Sequence, residues 1–336
     1  MGKELLNLYY EAIESALQQQ ISRLDESHTA LYYQMLTYHM GWTGEGAGPD
    51  ASGKRIRPLL VLLTCASCQA DWNLALPAAA AVELIHNFSL VHDDIQDHSD
   101  KRRGRPTLWA KWGVPQAINA GDGLFVLSNL AITDLGANYD ADLVLQVGQV
   151  LQSTCLDLTR GQYLDISYEG RNDLRIEDYW PMINGKTAAL LSASCMIGAI
   201  LAKADGATTD AYRSFGHYLG LAFQVQDDIL GIWGSEAVTG KSVSSDLLVG
   251  KKSLPVLVGL SKKGKFESRW AIGPLRVDEI EEMAGLLASE GGYEYAHNIA
   301  EQMTDLAINS LREANPQGEA GDFLMDLTDK LLKRNS

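Results

Sequence analysis

Leu84-Ile85-His86-Asn87-Phe88-Ser89-Leu90-Val91-His92-Asp93-Asp94-Ile95-Gln96-Asp97 is the stretch that decides the fold. From about Leu76 the residues leading into it are almost all apolar, and near His98 the segment turns abruptly charged. A helix that is apolar all round sits at the centre of a fold. A charged cluster at the end of such a helix therefore points into something polar, such as a cavity mouth. Asp93 and Asp97 are four residues apart, so on a helix they share one face about 5.4 Å apart along the axis, with Asp94 beside them. Carboxylates this close repel one another unless a counter-ion intervenes. Magnesium suits that task, because it takes carboxylate oxygens, retained waters and phosphate oxygens. The plainer reading is a solvated acidic helix end, but three carboxylates directly after more than a turn of apolar residues tell against it.

Working outward, a second cluster, Gln224-Val225-Gln226-Asp227-Asp228, interrupts another apolar segment, Tyr218 to Trp233. Two such interruptions on separate helices suggest carboxylates facing a common metal site, as helix bundles build them. The apolar spacing is helical almost throughout. Leu5, Tyr9, Ile13 and Leu17 recur every four residues. Further helices are expected over 28–40, from 57, and over 76–98, 115–137, 141–168, 177–203, 208–233, 251–260, 277–290, 293–313 and 319–333. Residues 44–53, 99–112 and 234–250 read as loops, rich in Gly, Pro or charge. No alternating strand of useful length and no composition break appears, so the expectation is one all-α domain over residues 1–336.

Composition narrows the classes. At 46% hydrophobic residues the chain has material for a large core, and a modest 8% aromatic share beside abundant Ala and Leu favours helix over strand. A formal net charge of -15 speaks against nucleic acid as a partner and against a basic membrane-surface helix. It also means that anionic substrates would need local cations or metal ions against the protein's own field. The N-terminal residues lack a signal pattern, and no apolar window approaches the length of a membrane span. Cys65 and Cys68 form a C-x-x-C pair, but it lies in an apolar helical run without a second pair, so buried thiols are expected. That cysteine usage fits a reducing cytoplasm.

Basic residues flank the acidic motifs. Lys54, Arg55 and Arg57 stand at a helix start, Arg102 and Arg103 follow the first motif, and Lys186-Thr187 follows Asn184-Gly185. Lys241 and Lys251 follow the second motif. Gly185-Lys186-Thr187 looks like the tail of a P-loop, but the upstream glycine and the preceding strand are missing. Cations ranged around magnesium suit a diphosphate, with Arg offering forked contacts and Lys a point charge.

These residues resemble the trans-isoprenyl diphosphate synthase, or polyprenyl synthetase, family. The resemblance runs from about Gly53 to Leu260. It is carried by Gly53-Lys54-Arg55-Ile56-Arg57-Pro58, Glu83-Leu84-Ile85-His86, the Leu90–Asp97 stretch and Arg102-Arg103-Gly104-Arg105-Pro106-Thr107. Ala120-Gly121-Asp122, Gly185-Lys186-Thr187, Phe223–Asp228, Gly240-Lys241-Ser242 and Lys251-Lys252-Ser253-Leu254-Pro255 follow in order. The resemblance implies the type I isoprenoid synthase fold, a helical bundle around a central active-site cavity, in a homodimer. It implies head-to-tail condensation of isopentenyl diphosphate with allylic diphosphates (dimethylallyl, geranyl, farnesyl). By motif position, Lys54, Arg57, His86 and Arg103 would hold isopentenyl diphosphate. Arg102, Lys186, Thr187, Gln224, Lys241 and Lys251 would hold the allylic diphosphate. Asp93, Asp97 and Asp227 would bind several magnesium ions, with Asp94 and Asp228 in support. Ionisation, attack by the isopentenyl double bond and proton loss to released diphosphate would complete the reaction.

One position departs from the family. Many relatives carry a third aspartate in the second motif where this chain has Gly231. That raises a terpene cyclase as an alternative, yet the cyclase pattern would need Ser or Thr at Gly231 and Glu at Ser235, and Lys54, Arg57 and His86 would have no use there. A non-catalytic subunit of a heteromeric synthase is a further alternative, disfavoured because Asp93–Asp97 is intact. Product length in the family is set just before the first motif, here at Ile85, Phe88 and Ser89. A helical wheel sets Phe88 to the side, while the resemblance makes it a floor residue. An aromatic five residues before Asp93 with a small residue four before it resembles the archaeal-type pattern, so geranylgeranyl diphosphate (C20) is expected, with farnesyl diphosphate (C15) as the alternative.

Overall fold

The computed structural model describes residues 2–234 and 245–332. Lys241, with Gly240 and Ser242 of its motif, lies outside the described residues. The described chain is built almost wholly of helices, and its strands are the two-residue pairs Lys101–Arg102 and Arg105–Pro106, joined antiparallel. The all-α expectation therefore holds.

Its contacts gather into two compact units. One comprises Met1–Ser153, Ala193–Asp210 and Asn315–Leu324, and the other Thr154–Ser192, Ala211–Ala314 and Met325–Ser336. Both are assembled from separate stretches, so neither can be cut from the chain as one segment.

In the first unit the Leu76–Gln96 helix packs along Val114–Asp134. Every residue from Ala78 to Ile85 is buried, and the run of alanines lets neighbouring helices approach closely. The Gly2–Ile21 helix adds Tyr9, Ile13, Leu17 and Ile21, one residue per turn, all fully buried. Each such Leu or Ile contributes about 1.5–3 kcal/mol. Arg55, part of the basic cluster in sequence, is an internal tie instead. It is 3% exposed, has a left-handed backbone (φ 47°) and donates to Glu14 at 2.7 Å, Glu83 at 2.8 Å and the Met40 carbonyl at 3.2 Å.

In the second unit the Gly206–Trp233 helix lies against Ile176–Ile183 and Leu254–Ser261 through Leu221, Val225, Ile229, Tyr179, Ile183, Leu254 and Leu257. The helix expected over 177–203 is present but carries a π-helical turn, Asn184–Ala188, between its α-helical stretches Ile176–Ile183 and Ala189–Leu201. The reason is a backbone-to-backbone approach. A side chain on Gly161, in the Ala141–Glu169 helix, would strike the Gly185 carbonyl carbon at 2.6 Å and the Met182 carbonyl oxygen at 2.8 Å. The remaining helices fall within a few residues of expectation. The stretches read as loops hold short helices at Pro49–Ser52, Leu108–Trp112 and Ser245–Leu248, and Lys265–Trp270 is a further unexpected helix.

One correction concerns membranes. Two helices, Trp72–Gln96 and Ile176–Leu201, are long and apolar enough to span by length and composition, with mean hydropathies of 1.5 and 1.2. Their apolar windows are 61% and 67% buried inside the protein, which is the position of core helices.

Replacing Arg55 by Ala removes the guanidinium and leaves the Glu83 carboxylate buried without its partner. Urea unfolding of Arg55→Ala should show a loss of about 3–5 kcal/mol, the usual result of breaking a buried pair from one side. A loss below about 1 kcal/mol would remove Arg55 from this role.

Candidate active site

The first aspartate motif ends the Leu76–Gln96 helix, and the way that helix stops builds the site. Asp97 is the C-cap, and His98 follows with a left-handed backbone (φ 51°). The Ser99 N–H bonds the Asp94 carbonyl at 3.0 Å and the His98 N–H bonds the Ile95 carbonyl at 3.3 Å, a Schellman ending. The chain then turns through the 101–106 hairpin, whose central residues Arg103 and Gly104 both have positive φ (52° and 74°), as a two-residue hairpin loop requires. This reversal sets Arg102 on Asp94. Arg102 Nε lies 2.9 Å and Nη2 2.8 Å from Asp94 Oδ1. Asp94 is 3% exposed, and burial raises its carboxyl above the ordinary range while Arg102 pulls it back. Asp93 is half-buried and Asp97 exposed, at a helix C-terminus whose dipole adds negative potential.

Behind this motif stands a group of cations. Arg57 Nη1 lies 3.3 Å from His86 Nε2. Arginine only donates, so His86 Nε2 accepts and its proton sits on Nδ1. Burial, then Arg57, Arg103, Arg102 and Arg55, hold the His86 pKa well below its usual value, so the ring is neutral. Arg57 Nε is buried without a hydrogen-bond partner. Arg103 donates to the Ala51 carbonyl at 2.9 Å, while Lys54 is exposed. Arg57 and Arg103 therefore both lie close to His86. His39, unremarked in sequence, joins the same group. Burial and the charges of Arg102, Arg103 and Arg55 lower its pKa to about 3.

The second motif is organised by Asp228, which is 1% exposed. It accepts from Tyr179 Oη at 2.8 Å, Gln224 Nε2 at 3.0 Å, Lys251 Nζ at 3.1 Å and the Leu254 N–H at 3.1 Å. Gln224 Oε1 in turn accepts from Thr187 Oγ1 at 2.7 Å. Thr187 and Lys186 lie in the π-helical turn, and Lys186 Nζ pairs with Asp165. Asp227, next to Asp228, is exposed. Thr187, Gln224, Asp228 and Lys251 thus form one connected network. Sequence reasoning missed Asp165, Tyr179 and Asp246, the last of which lies 3.3 Å from Lys251 Nζ. Each is a lone polar group in an otherwise unremarkable segment, and only the fold gives it a partner.

Among the described residues no group of three His, Cys, Asp or Glu side chains forms a ready-made cage for a metal. Magnesium does not need one, since it binds through one or two carboxylates together with waters and substrate phosphates. Asp93 and Asp97 in the first unit, and Asp227 in the second, are oxygen-only donors of the kind magnesium takes. Phe88, upstream of Asp93, meets Phe125 of the Val114–Asp134 helix at a tilt, with ring centroids 5.3 Å apart, and His92 edge-on at 4.8 Å. Ser89 Oγ turns back to the His86 carbonyl, and Ile85 is fully buried.

Residues 48–283 match the family described as polyprenyl synthetase. A geranylgeranyl diphosphate synthase of Mycobacterium tuberculosis is 40% identical over 287 residues, covering 83% of this chain and 81% of the relative. A (2E,6E)-farnesyl diphosphate synthase of Mycobacterium bovis is 35% identical over 342 residues, covering 99% and 93%. The crystal structure of a polyprenyl synthetase from Streptomyces coelicolor A3(2) superposes with a TM-score of 0.87 at 34% identity, over 98% of this chain and 99% of that one. Motifs, fold and relatives agree, and the chain belongs to the polyprenyl synthetase family.

Proposed function

We propose that this protein is a short-chain trans-prenyltransferase that joins isopentenyl diphosphate head-to-tail to allylic diphosphates. The observation that carries the reading is the division of labour within each motif. One aspartate is buried against a cation, Asp94 on Arg102 and Asp228 on Lys251, while a neighbouring aspartate stays exposed. Magnesium held by Asp93, Asp97 and Asp227 would neutralise charge on the leaving diphosphate.

The protein's own groups do the rest. Arg102, Lys186, Thr187, Gln224, Lys241 and Lys251 bind and orient the allylic diphosphate, and their cations stabilise negative charge as the C–O bond ionises. Lys54, Arg57, His86 and Arg103 hold isopentenyl diphosphate so that its double bond faces the allylic cation. Neutral His86 keeps Arg57 in place without adding a competing charge. The paired cation groups favour condensation over cyclisation, since a cyclase binds one diphosphate.

The product follows from Phe88. Its ring is braced by Phe125, and the small Ser89 beside it leaves room for a longer chain than two aromatics would, which favours the C20 product geranylgeranyl diphosphate over C15. The relatives are named for both products, and the pairing of Phe88 with Ser89 is what supports C20 in this reading. We further place the protein in the cytoplasm as a homodimer. The Val114–Asp134 helix exposes Val114, Ile118, Val126 and Leu130, an apolar stripe that a second copy would cover. Cys65, Cys155 and Cys195 are buried thiols, in keeping with a reducing compartment.

Incubation of the purified protein with magnesium, labelled isopentenyl diphosphate and each allylic primer should yield chains ending at C20, and chelation should stop the reaction. Absence of elongation from every primer, with or without a partner protein, would sink the proposal. Asp93→Ala should lower turnover by on the order of 10²–10³-fold while the circular dichroism spectrum stays unchanged. A retained rate would strip Asp93 of its role. Phe88→Ala should lengthen the product by at least one isoprene unit, and an unaltered product would show that the floor lies elsewhere.

A further inference from the structure

Lys251 and Lys252 are neighbours in the chain, but it is Lys251 that pairs with carboxylates, those of Asp228 and Asp246. Lys252 is 9% exposed, and its Nζ donates to the carbonyls of Tyr168 at 3.3 Å and Glu169 at 3.0 Å. These are the last residues of the Ala141–Glu169 helix, so the ammonium caps a helix C-terminus. The cap uses two of its three N–H groups and leaves its charge without an anion. Among the described residues no carboxylate forms an ion pair with Lys252, and the Glu169 side chain, whose charge it feels through space, is exposed. Burial lowers the pKa of this ammonium, and Glu169 partly opposes the fall. Lys252 also lines a recess of about 290 Å³ within the second unit. Leu247 and Leu275 are its buried apolar walls. Trp270 lines it too, with its ring held by stacking on Phe266 at a centroid distance of 5.5 Å. Leu248, Val249 and Pro274 stand exposed at the rim.

We propose that this recess binds a small carboxylate with a flat apolar body, its anionic end on Lys252 Nζ and its body between Trp270, Leu247 and Leu275. Apolar walls around one convergent polar group are the composition of a small-molecule site. The carboxylate supplies the counter-charge that the helix cap leaves unmet, through a charge-assisted bond. A recess of about 290 Å³ is at the small end of ligand pockets, which suits one or two fused rings. The site is separate from the groups assigned to the diphosphates. Among the described residues, neither Lys251 nor Asp227, Asp228 or Asp246 lines it. An occupant would lie against Gly250 and Lys252, on either side of Lys251, and so would brace the turn that carries that lysine. The inference does not depend on the prenyltransferase reading.

The test is titration calorimetry on the full-length protein with 2-naphthoate as the probe, and with 2-naphthalenemethanol as its uncharged counterpart. Magnesium pyrophosphate is present in excess, so that the cations at the aspartate motifs are occupied. The parent should bind naphthoate at least about tenfold more tightly than the alcohol, as expected of a hydrogen bond to a charged group. Lys252→Gln keeps amide donors for the Tyr168 and Glu169 carbonyls and removes the charge. It should weaken naphthoate by about tenfold and leave the alcohol unchanged, a difference that loss of the helix cap alone would not produce. Val249→Asp, at a rim position 76% exposed, places a carboxylate at the mouth and should weaken naphthoate more than the alcohol. A parent that binds no naphthoate, or binds it no better than the alcohol, overturns the proposal. Parent-like naphthoate affinity in folded Lys252→Gln does the same. Should Lys252→Gln lose its fold, parent-like affinity in Val249→Asp is the overturning result.

Discussion

A carboxylate out of water must be surrounded by donors, and at both aspartate motifs this requirement fixes the neighbouring groups. Asp228 shows it most fully. Its four donors are the Tyr179 hydroxyl, the Gln224 amide one turn back on the same helix, the Lys251 ammonium and the backbone N–H of Leu254. None can shift without leaving a lone pair unmet, so the starts of two helices and one loop lysine are held to a single point. The constraint passes outward through Gln224 to Thr187, and so to the π-helical turn that carries Lys186. Asp94 acts likewise with Arg102, but there the positioning is done by the helix ending that folds the 101–106 hairpin back on it.

The parts legible in sequence were those that repeat or cluster. Apolar periodicity gave the helices, because burial of one face imposes it on every turn. Asp93, Asp94 and Asp97 were visible because charge placed directly after a long apolar run is costly unless a cation or a polar cavity receives it. The hidden parts depend on contacts between distant segments. Nothing near Arg55 distinguishes it from Arg57, yet Arg55 meets Glu14 and Glu83 and becomes structural, while Arg57 meets a neutral imidazole. The π-helical turn was illegible for the same reason. Gly161 and Gly185 read as ordinary glycines until the backbones they carry are seen to touch. The Schellman ending at His98 escaped because its left-handed residue is not glycine. Spanning length misleads in the other direction, since burial inside a protein and burial in lipid select the same residues.

The cations at the motifs differ in how much charge they present. Arg102, Lys186 and Lys251 each sit on a carboxylate, of Asp94, Asp165, and Asp228 with Asp246. At a distance their fields are largely cancelled, and they act on an anion only at contact, where hydrogen-bond geometry counts. Arg57 is different. Its hydrogen-bond partner is neutral, its Nε has none, and the buried Glu83 carboxylate, whose charge it feels, is already bonded to Arg55. In a chain of net charge -15 such a residue keeps a positive field that no paired carboxylate cancels at contact. His86 makes this arrangement tenable. A protonated ring would add repulsion within a group that already holds Arg57, Arg102, Arg103 and Arg55, and those same charges keep it unprotonated. The neutral ring accepts from Arg57 and retains a donor on Nδ1, so the guanidinium is oriented while its charge remains available to a bound anion.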